Sequence, residues 1–450
     1  MTAATIHVRK RANPAPNLLV YVITPSRGIS RFFQEELFWV EYPIPLADVP
    51  ESIQIIPLLS LICPVAWAAG ADILVPELDR AFHDALPAIR DGFQAMYPGL
   101  RWQGDVVPVA VKQNASPAGK AKTATLFSGG LDSVVTYLRK QEQQPSLISV
   151  WGADVALDQP AAWNNVCRAI EEFRGQTGAE SFAIKSNFRT FINEPALNIY
   201  FGDKINGGWW GGVEHGLILT GVCAPLTYSM GVGRLYIPSS YSSSSPWITW
   251  GSTPEIDNLI RWADLSVEHE AYELDRQGKT AFFADRVQND GRNYQLRVCW
   301  RSAQGCNCGV CEKCSRTIVG LLLEGLRPEY HGFSFGPDKL PRIKRKLETG
   351  RWGGFTIWGG YIKRRIPERI DQLDVDYKEF FQWFLNFDVE KHIFEFGKNR
   401  KFRHRLKRAV EEALPENLVI SCKMARLRIR QWLIKRGQAV IAFLDINKAD

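Results

Sequence analysis

The sequence contains no internal repeat, no secretory leader pattern and no long apolar run free of helix breakers. The first absence removes repeat architectures such as solenoids. The longest uncharged apolar run, Ile53 to Ala71, is interrupted by Pro57, Pro64 and Gly70. A spanning helix needs about 20 apolar residues, and such breakers tell against it, so this run is expected to be buried core. At the N-terminus, basic Arg9, Lys10 and Arg11 precede only a short apolar stretch, Leu18 to Ile23, which runs into Pro25-Ser26-Arg27. That stretch is too short for the apolar centre of a signal peptide, and a cytoplasmic protein with no membrane contact is expected.

Several familiar motifs are each missing one essential residue. Gly278-Lys279-Thr280 ends like a Walker loop, but Glu273 occupies the place of the leading glycine. Gly231-Val232-Gly233 is not a dinucleotide fingerprint, because Tyr236 replaces the third glycine. His269-Glu270 begins like a zinc-protease helix, yet Glu273 stands where the second histidine belongs. Gly332-Phe333-Ser334-Phe335-Gly336 fits a nucleophile elbow, but Pro337 and Pro341 disfavour the helix such an elbow opens.

What is present is a globular composition. The 450 residues are 45% hydrophobic and 23% charged, which excludes wholesale disorder and fits two or three domains. The net charge of +7 is unevenly placed. From Lys339 onward there are 26 Lys and Arg against 14 Asp and Glu; the rest of the chain has 29 against 34. The basicity belongs to the terminal region, where nucleic acid or an acidic partner is a candidate contact.

Three regions follow. Residues 1–122 form an N-terminal domain ending in the loose stretch Gln113 to Lys120, and within it Pro76 to Tyr97 has the apolar spacing of a helix or helix pair bent at Pro87. Residues 123–336 alternate strand-like and helix-like segments: strands at Thr123–Phe127, Ser146–Trp151, Ser181–Lys185 and Arg234–Pro238, and helices at Val134–Gln144, Asp158–Gln176 and Gly216–Met230. Such alternation predicts an α/β fold, a parallel sheet with helices on both faces. Residues 337–450 are basic and aromatic, with helices expected at Lys401–Leu414 and Cys422–Arg436. The serine-rich Ser239 to Pro246 is expected to be a loop.

The sharpest local motif is Ser128-Gly129-Gly130-Leu131-Asp132-Ser133, between a strand and a helix. Two glycines allow the backbone to approach a phosphate, and the N–H groups of the first helical turn face it. Ser128 and Ser133 add hydroxyl donors; Asp132 is a candidate for capping the helix or meeting Mg2+. A plain glycine-rich turn is the bland alternative. Arg276 and Lys279 lie three apart on a helix expected over Glu268–Lys279, where they face either the phosphates or solvent.

Five of the nine cysteines fall between Cys299 and Cys314. Cys299, Cys308, Cys311 and Cys314 read C-x8-C-x2-C-x2-C, which suits a closed tetrahedral zinc site. An iron–sulfur cluster is the competitor, and Cys306 is either a substitute for Cys299 or a free thiol.

The Ser128–Ser133 loop resembles the pyrophosphate loop of the N-type ATP pyrophosphatases. Together with Leu296-Arg297-Val298-Cys299-Trp300 and Cys308-Gly309-Val310-Cys311-Glu312-Lys313-Cys314-Ser315-Arg316, it resembles the 7-cyano-7-deazaguanine synthases of the queuosine pathway. The resemblance covers roughly residues 123 to 335. It implies an adenine-nucleotide α-hydrolase-like core, ATP and Mg2+ over Ser128, Gly129, Gly130, Leu131, Asp132 and Ser133, with Arg276 and Lys279 beside them, and structural Zn2+. It also implies adenylation of a 7-carboxy-7-deazaguanine-like acid with release of pyrophosphate, then attack by an amine to give an amide or nitrile. Two departures stand out. Serines dominate Ser239 to Trp250, where that family carries an aspartate-containing segment, and the flanking regions have no counterpart. Longer proteins of this kind are associated with anti-phage gene clusters, which implies transfer of the acyl group to a partner protein. A tRNA-modifying enzyme and a non-catalytic nucleotide-binding module are the alternatives.

In the loop Gly207 to Gly216, Trp209 and Trp210 either stack on a purine or plug the core, and Glu214 and His215 are acid–base candidates. Basic clusters at Lys344–Lys346, Lys363–Arg365, Lys398–Arg408 and Arg426–Arg430 are candidates for nucleic acid or for a solvated, partner-facing surface.

Overall fold

A computed structural model describes residues 4–117, 122–205, 208–245, 248–299, 301–350, 352, 356–392 and 415–435. Its strands are β1 (Ala4–Lys10), β2 (Leu18–Pro25), β3 (Leu37–Glu41), β4 (Ala71–Asp79), β5 (Val106–Lys112), β6 (Lys122–Leu126), β7 (Ser146–Trp151), β8 (Ser181–Ser186), β9 (Val232–Pro238), β10 (Arg261–Trp262) and β11 (Leu265–Glu270). They form one sheet of order β10-β11-β9-β6-β7-β8-β3-β2-β1-β4-β5. Parallel pairings outnumber antiparallel ones, so the fold is α/β with a large, mostly parallel sheet.

The sheet continues through the boundary expected at residue 122. Strand β3 pairs antiparallel with β8 through Val40↔Ser186 and Glu41↔Lys185. The segment read as a loose connection is anchored at Asn114, whose amide donates to Ser52 Oγ and Asp79 Oδ2, both at 2.9 Å.

Two apolar clusters lie against the sheet. One joins the helix Ile56–Ala69 and the helices Arg80–Met96 and His215–Gly221 to β1–β4, β6 and β9. The other packs the helices Leu131–Arg139, Pro160–Thr177, Arg276–Asp290 and Glu312–Leu323 with C-terminal residues such as Trp358, Ile366, Phe381 and Phe384. The Ile53–Ala71 run is buried core as expected. No helix among the described residues is long and apolar enough to cross a membrane.

The helix expected over Val134–Gln144 is Leu131–Arg139 followed by a short turn at Gln141–Gln143, and three further expected helices have different limits. Pro76 to Asp79 is the end of β4, because Glu77 and Leu78 pair with Ala110 and Val111 of β5. Asp79 then caps the helix by accepting from Phe82 N at 3.0 Å. Leu78 mimicked helical spacing with Phe82 although the period changes at the cap. Gly216–Met230 is broken at Val222-Cys223 into His215–Gly221 and Ala224–Met230, with Pro225 opening the second piece. Glu268–Lys279 is not one helix: β11 runs to Glu270, Ala271 turns at φ 61°, and Asp275 caps a helix beginning at Arg276.

The C-terminal region is mainly helical where described, with Leu340–Glu348, Val375–Asn386 and Glu416–Lys435. Several of its cations are engaged within the chain: Arg364 with Asp275 at 2.7 Å, Arg365 with Glu324 at 3.2 Å, and Lys363 with the Phe387 carbonyl at 2.7 Å. Lys344 lies over the Trp383 ring, whereas Arg426 and Arg428 are exposed. Lys398–Arg408 and Lys401–Leu414 lie outside the described residues.

Close backbone approach seats the helix His215–Gly221 on Ile56–Ala69. A Cβ on Gly221 would lie 1.9 Å from Ser60 Oγ and 2.4 Å from its Cβ. Gly221→Ala should therefore lower stability by about 1–3 kcal/mol through overpacking. Urea unfolding measures this, and an unchanged midpoint would contradict the tight crossing.

Candidate active site and metal centre

The sheet order alone nominates a ligand crevice. The chain passes from β6 to β7 and β8 on one side, then returns to β9 and β11 on the other, so the order reverses at β6. Ligands of open parallel sheets bind beyond the carboxyl ends of the strands at such a reversal. A cavity of ≈ 170 Å³ lies there, lined by Phe127 and Ser128 after β6, Ile148 to Val150 of β7, and Ile237, Pro238 and Ser240 at the end of β9. A smaller cavity of ≈ 40 Å³ shares Ser128, Asp132, Asp154, Arg297 and Lys313 with it and reaches Arg276 and Cys299.

The glycine loop is shaped for this position. Gly129 adopts φ 75°, a left-handed conformation natural to glycine. The first intrahelical bond is Val134 N to Gly130 O at 3.0 Å, so the N–H groups of Leu131, Asp132 and Ser133 precede the helical ladder. The serines brace the loop internally. Ser133 Oγ donates to Gly130 O at 3.0 Å, and Ser128 Oγ accepts from Gly130 N at 3.3 Å.

Asp132 does not cap its helix; Gly130 holds that position without a side-chain bond. Its carboxylate instead gathers two cations from distant sequence. Arg276 Nη2 donates to Oδ2 at 2.9 Å and Lys279 Nζ lies 3.4 Å from Oδ1. The lysine also donates to the Ser239 carbonyl at 2.6 Å and to its hydroxyl at 2.7 Å, so the start of the serine loop anchors the ammonium. Side-chain exposure is 8% for Arg276, 2% for Lys279 and 19% for Asp132. Burial works against the charged carboxylate, but Arg276, Lys279 and Lys313 outweigh it and hold Asp132 below the usual range. Burial lowers the Lys279 ammonium, and Asp132 opposes that shift.

The thiols of Cys299, Cys308, Cys311 and Cys314 lie within 4.8 Å of one another. Tetrahedral zinc with Zn–S bonds of about 2.3 Å separates its sulfurs by about 3.8 Å. Cys299 and Cys311 are 3.8 Å apart at sulfur, and Cys308 and Cys314 3.9 Å, so the group fits such an ion. Backbone N–H groups already point at sulfur, Cys311 N to Cys308 Sγ at 3.3 Å and Cys314 N to Cys311 Sγ at 3.4 Å. Hydrogen bonding from Cys314 pulls the Cys311 thiol down to about 4, and the same contact pushes Cys314 up. Cys306 is exposed and stands apart beside Ser302 and Gln304, so it does not replace Cys299.

Besides Asp154 and Lys313, which line both cavities, three residues had no role assigned from the sequence. Arg297 N donates to Gly129 O at 2.7 Å, and its Nε donates to Ser128 O at 3.1 Å, which clamps the loop to the segment carrying Cys299. Asn307 Oδ1 accepts from Val298 N and Cys299 N at 2.9 and 3.2 Å, and its amide donates to Leu296 O and Gly332 O, closing the metal loop. Tyr361 from the C-terminal region hydrogen-bonds with Ser242 and Ser245 of the serine loop. The Arg297 and Asn307 contacts are long-range clips with no local periodicity. Trp300 lies outside the described residues.

The tryptophans of the Gly-Trp loop fill core. Trp209 is buried, stacks near Trp102 and donates to Glu214 Oε1 at 2.5 Å. Trp210 stacks on Phe188, and neither lines the cavity. His215 does line it, and its Nδ1 is buried without a partner. A larger opening of ≈ 620 Å³ lies at the far end of the Leu131–Arg139 helix. Its charges are largely neutralised there, for example Arg139 by Glu270 at 2.6 Å and Arg286 by Asp290 at 3.4 Å, so it lacks a convergent reactive group. The chain matches no protein-family model, and neither curated proteins nor solved structures give a significant match.

Two outcomes test this geometry. Cys311→Ser should lose bound zinc, read by elemental analysis, and speed amide exchange in the Gly129 loop through Arg297. Unaltered metal content would reject the four-thiolate site. Burial raises Glu214 well above the ordinary carboxyl range, with the Trp209 bond opposing. The folded state then binds the extra proton, so Glu214 weakens stability as pH rises from about 4.3 toward its folded value. Glu214→Gln should flatten that decline in urea titrations between acidic and alkaline pH; an identical slope would contradict it.

Proposed function

We propose that this chain is an AMP-forming, ATP-dependent ligase or synthase that activates a carboxylic acid resembling 7-carboxy-7-deazaguanine. The observation that carries the reading is the convergence of Arg276 and Lys279 on Asp132, from 144 and 147 residues away, at a glycine-rich helix start beside the strand-order reversal. A solvated helix face has no reason to bury two cations on one carboxylate. Four cations, Arg276, Lys279, Arg297 and Lys313, surround two carboxylates, Asp132 and Asp154, leaving an excess of positive charge for a polyanion.

In this reading the triphosphate lies over the N–H groups of Leu131 to Ser133. A carboxylate oxygen of the acid attacks the α-phosphorus, the bond from that phosphorus to the bridging oxygen breaks, and pyrophosphate leaves with its electron pair. The acyl adenylate is then attacked by an amine. A C–N bond forms, the acyl C–O bond breaks, AMP departs, and the nitrogen loses its proton to solvent or a nearby base. The chain supplies positioning and charge stabilisation without a covalent nucleophile. Asp132 is the carboxylate that would meet Mg2+, which would neutralise phosphate charge. The four thiolates would hold Zn2+, which ties the Cys299 and Cys308–Cys314 segments together. The acceptor is ammonia or an amino group on a partner protein, the latter consistent with a role in anti-phage defence.

The test is pyrophosphate release from ATP in the presence of 7-carboxy-7-deazaguanine. Asp132→Ala should abolish release, and Lys279→Met should reduce it at least about a hundredfold, consistent with loss of a buried charge-assisted contact. Normal turnover in Asp132→Ala would sink the mechanism.

A further inference from the structure

Resting on the adenylation reading, a second set of charges at the site calls for its own ligand. Arg276 and Lys279 are satisfied by Asp132 and Ser239. Arg297 and Lys313 are not matched in this way. The Arg297 guanidinium donates to the carbonyls of Ser128 and Cys299 and has no carboxylate within salt-bridge distance among the described residues. Lys313, between Cys311 and Cys314 on the helix Glu312–Leu323, lines both cavities and its ammonium has no hydrogen bond or ion pair among the described residues. Asp154, in the loop after β7, lines the same two cavities and is also without a hydrogen bond or ion pair there. Asp154 and the two cations feel one another's charge across the cavity but form no ion pair within 4.0 Å, so the cavity presents both signs to a molecule carrying an anionic oxygen and N–H donors.

We propose that Lys313 binds the carboxylate of the acid co-substrate, with Arg297 beside it, and that Asp154 accepts hydrogen bonds from N–H groups on the same molecule. The apolar floor between them, Ile148, Val155, Val166 and Trp163, suits a flat ring system. The spacing of the zinc ligands has a second consequence: Cys311 and Cys314 fix the helical turn on which Lys313 stands, so the metal segment orients a substrate-binding cation.

The experiment is acid-dependent ATP–pyrophosphate exchange with 7-carboxy-7-deazaguanine, measuring KM for the acid and for ATP separately. Lys313→Met should raise the KM for the acid at least about tenfold while that for ATP stays within about twofold, as expected for loss of a charge-assisted bond to one substrate. Lys313→Arg should recover most of the loss, and equal zinc content in all variants shows that the metal segment is intact. Asp154→Asn should raise the acid KM in the same way. An acid KM unmoved by Lys313→Met, or an ATP KM that rises in its place, overturns the proposal while leaving adenylation standing. Absence of exchange in the unaltered chain overturns adenylation itself, and this assignment with it.

Discussion

The short backbone bond from Arg297 N to Gly129 O holds the site together. Gly129 turns left-handed and its carbonyl accepts this bond, while the neighbouring Ser128 carbonyl accepts from the Arg297 side chain. Two residues beyond Arg297 is Cys299, the first thiol of the metal group. Through this bond the glycine loop is tied to the segment of the four cysteines and so to the helix carrying Lys313. A metal held by the four thiols would add its binding energy to folding and so help fix the cavity walls.

The other half of the site depends on burial. Lys279 sits in apolar surroundings that disfavour its charge, and Asp132 together with the Ser239 carbonyl and hydroxyl compensates. Removing one partner from such a group strands a charge, so Asp132, Arg276, Lys279 and the entry to the serine loop stand or fall as a unit. Tyr361 closes the far end of that loop, and Trp358 donates to Glu312 between the metal ligands at 3.0 Å. The C-terminal region is thereby packed against the serine loop and the cysteine segment and is not only a basic appendage. The N-terminal strands extend the same sheet on the opposite side.

The parallel strands around the site were legible because their apolar runs are short and bounded by turn residues; Ser146–Trp151 was read with its observed limits. The glycine loop and the cysteine spacing were legible because backbone approach to an anion and tetrahedral thiolate geometry each constrain a few neighbouring residues. The limits at Pro76 and Glu268 were misread because Leu78 and the His269–Lys279 stretch carry helix-compatible spacing. There, strand pairing with β5 and β9 decides the conformation, and those partners lie far away in sequence. Trp209 was open to a core reading, which its burial bears out, whereas Glu214 was an acid–base candidate; their mutual hydrogen bond turns both into the core.

By itself the sequence determined the local devices: a glycine-rich turn before a helix, four thiols able to enclose one ion, and a basic terminal region. Each depends on residues a few positions apart, where spacing dictates geometry. Only the tertiary structure decided what those devices face. It brought Arg276 and Lys279 to Asp132, placed Arg297 across Gly129, set Lys313 and Asp154 at one cavity, and joined the N-terminal strands to the central sheet. The physical reason is that these choices are made by long-range pairing of buried charge and backbone, which no periodicity along the chain records.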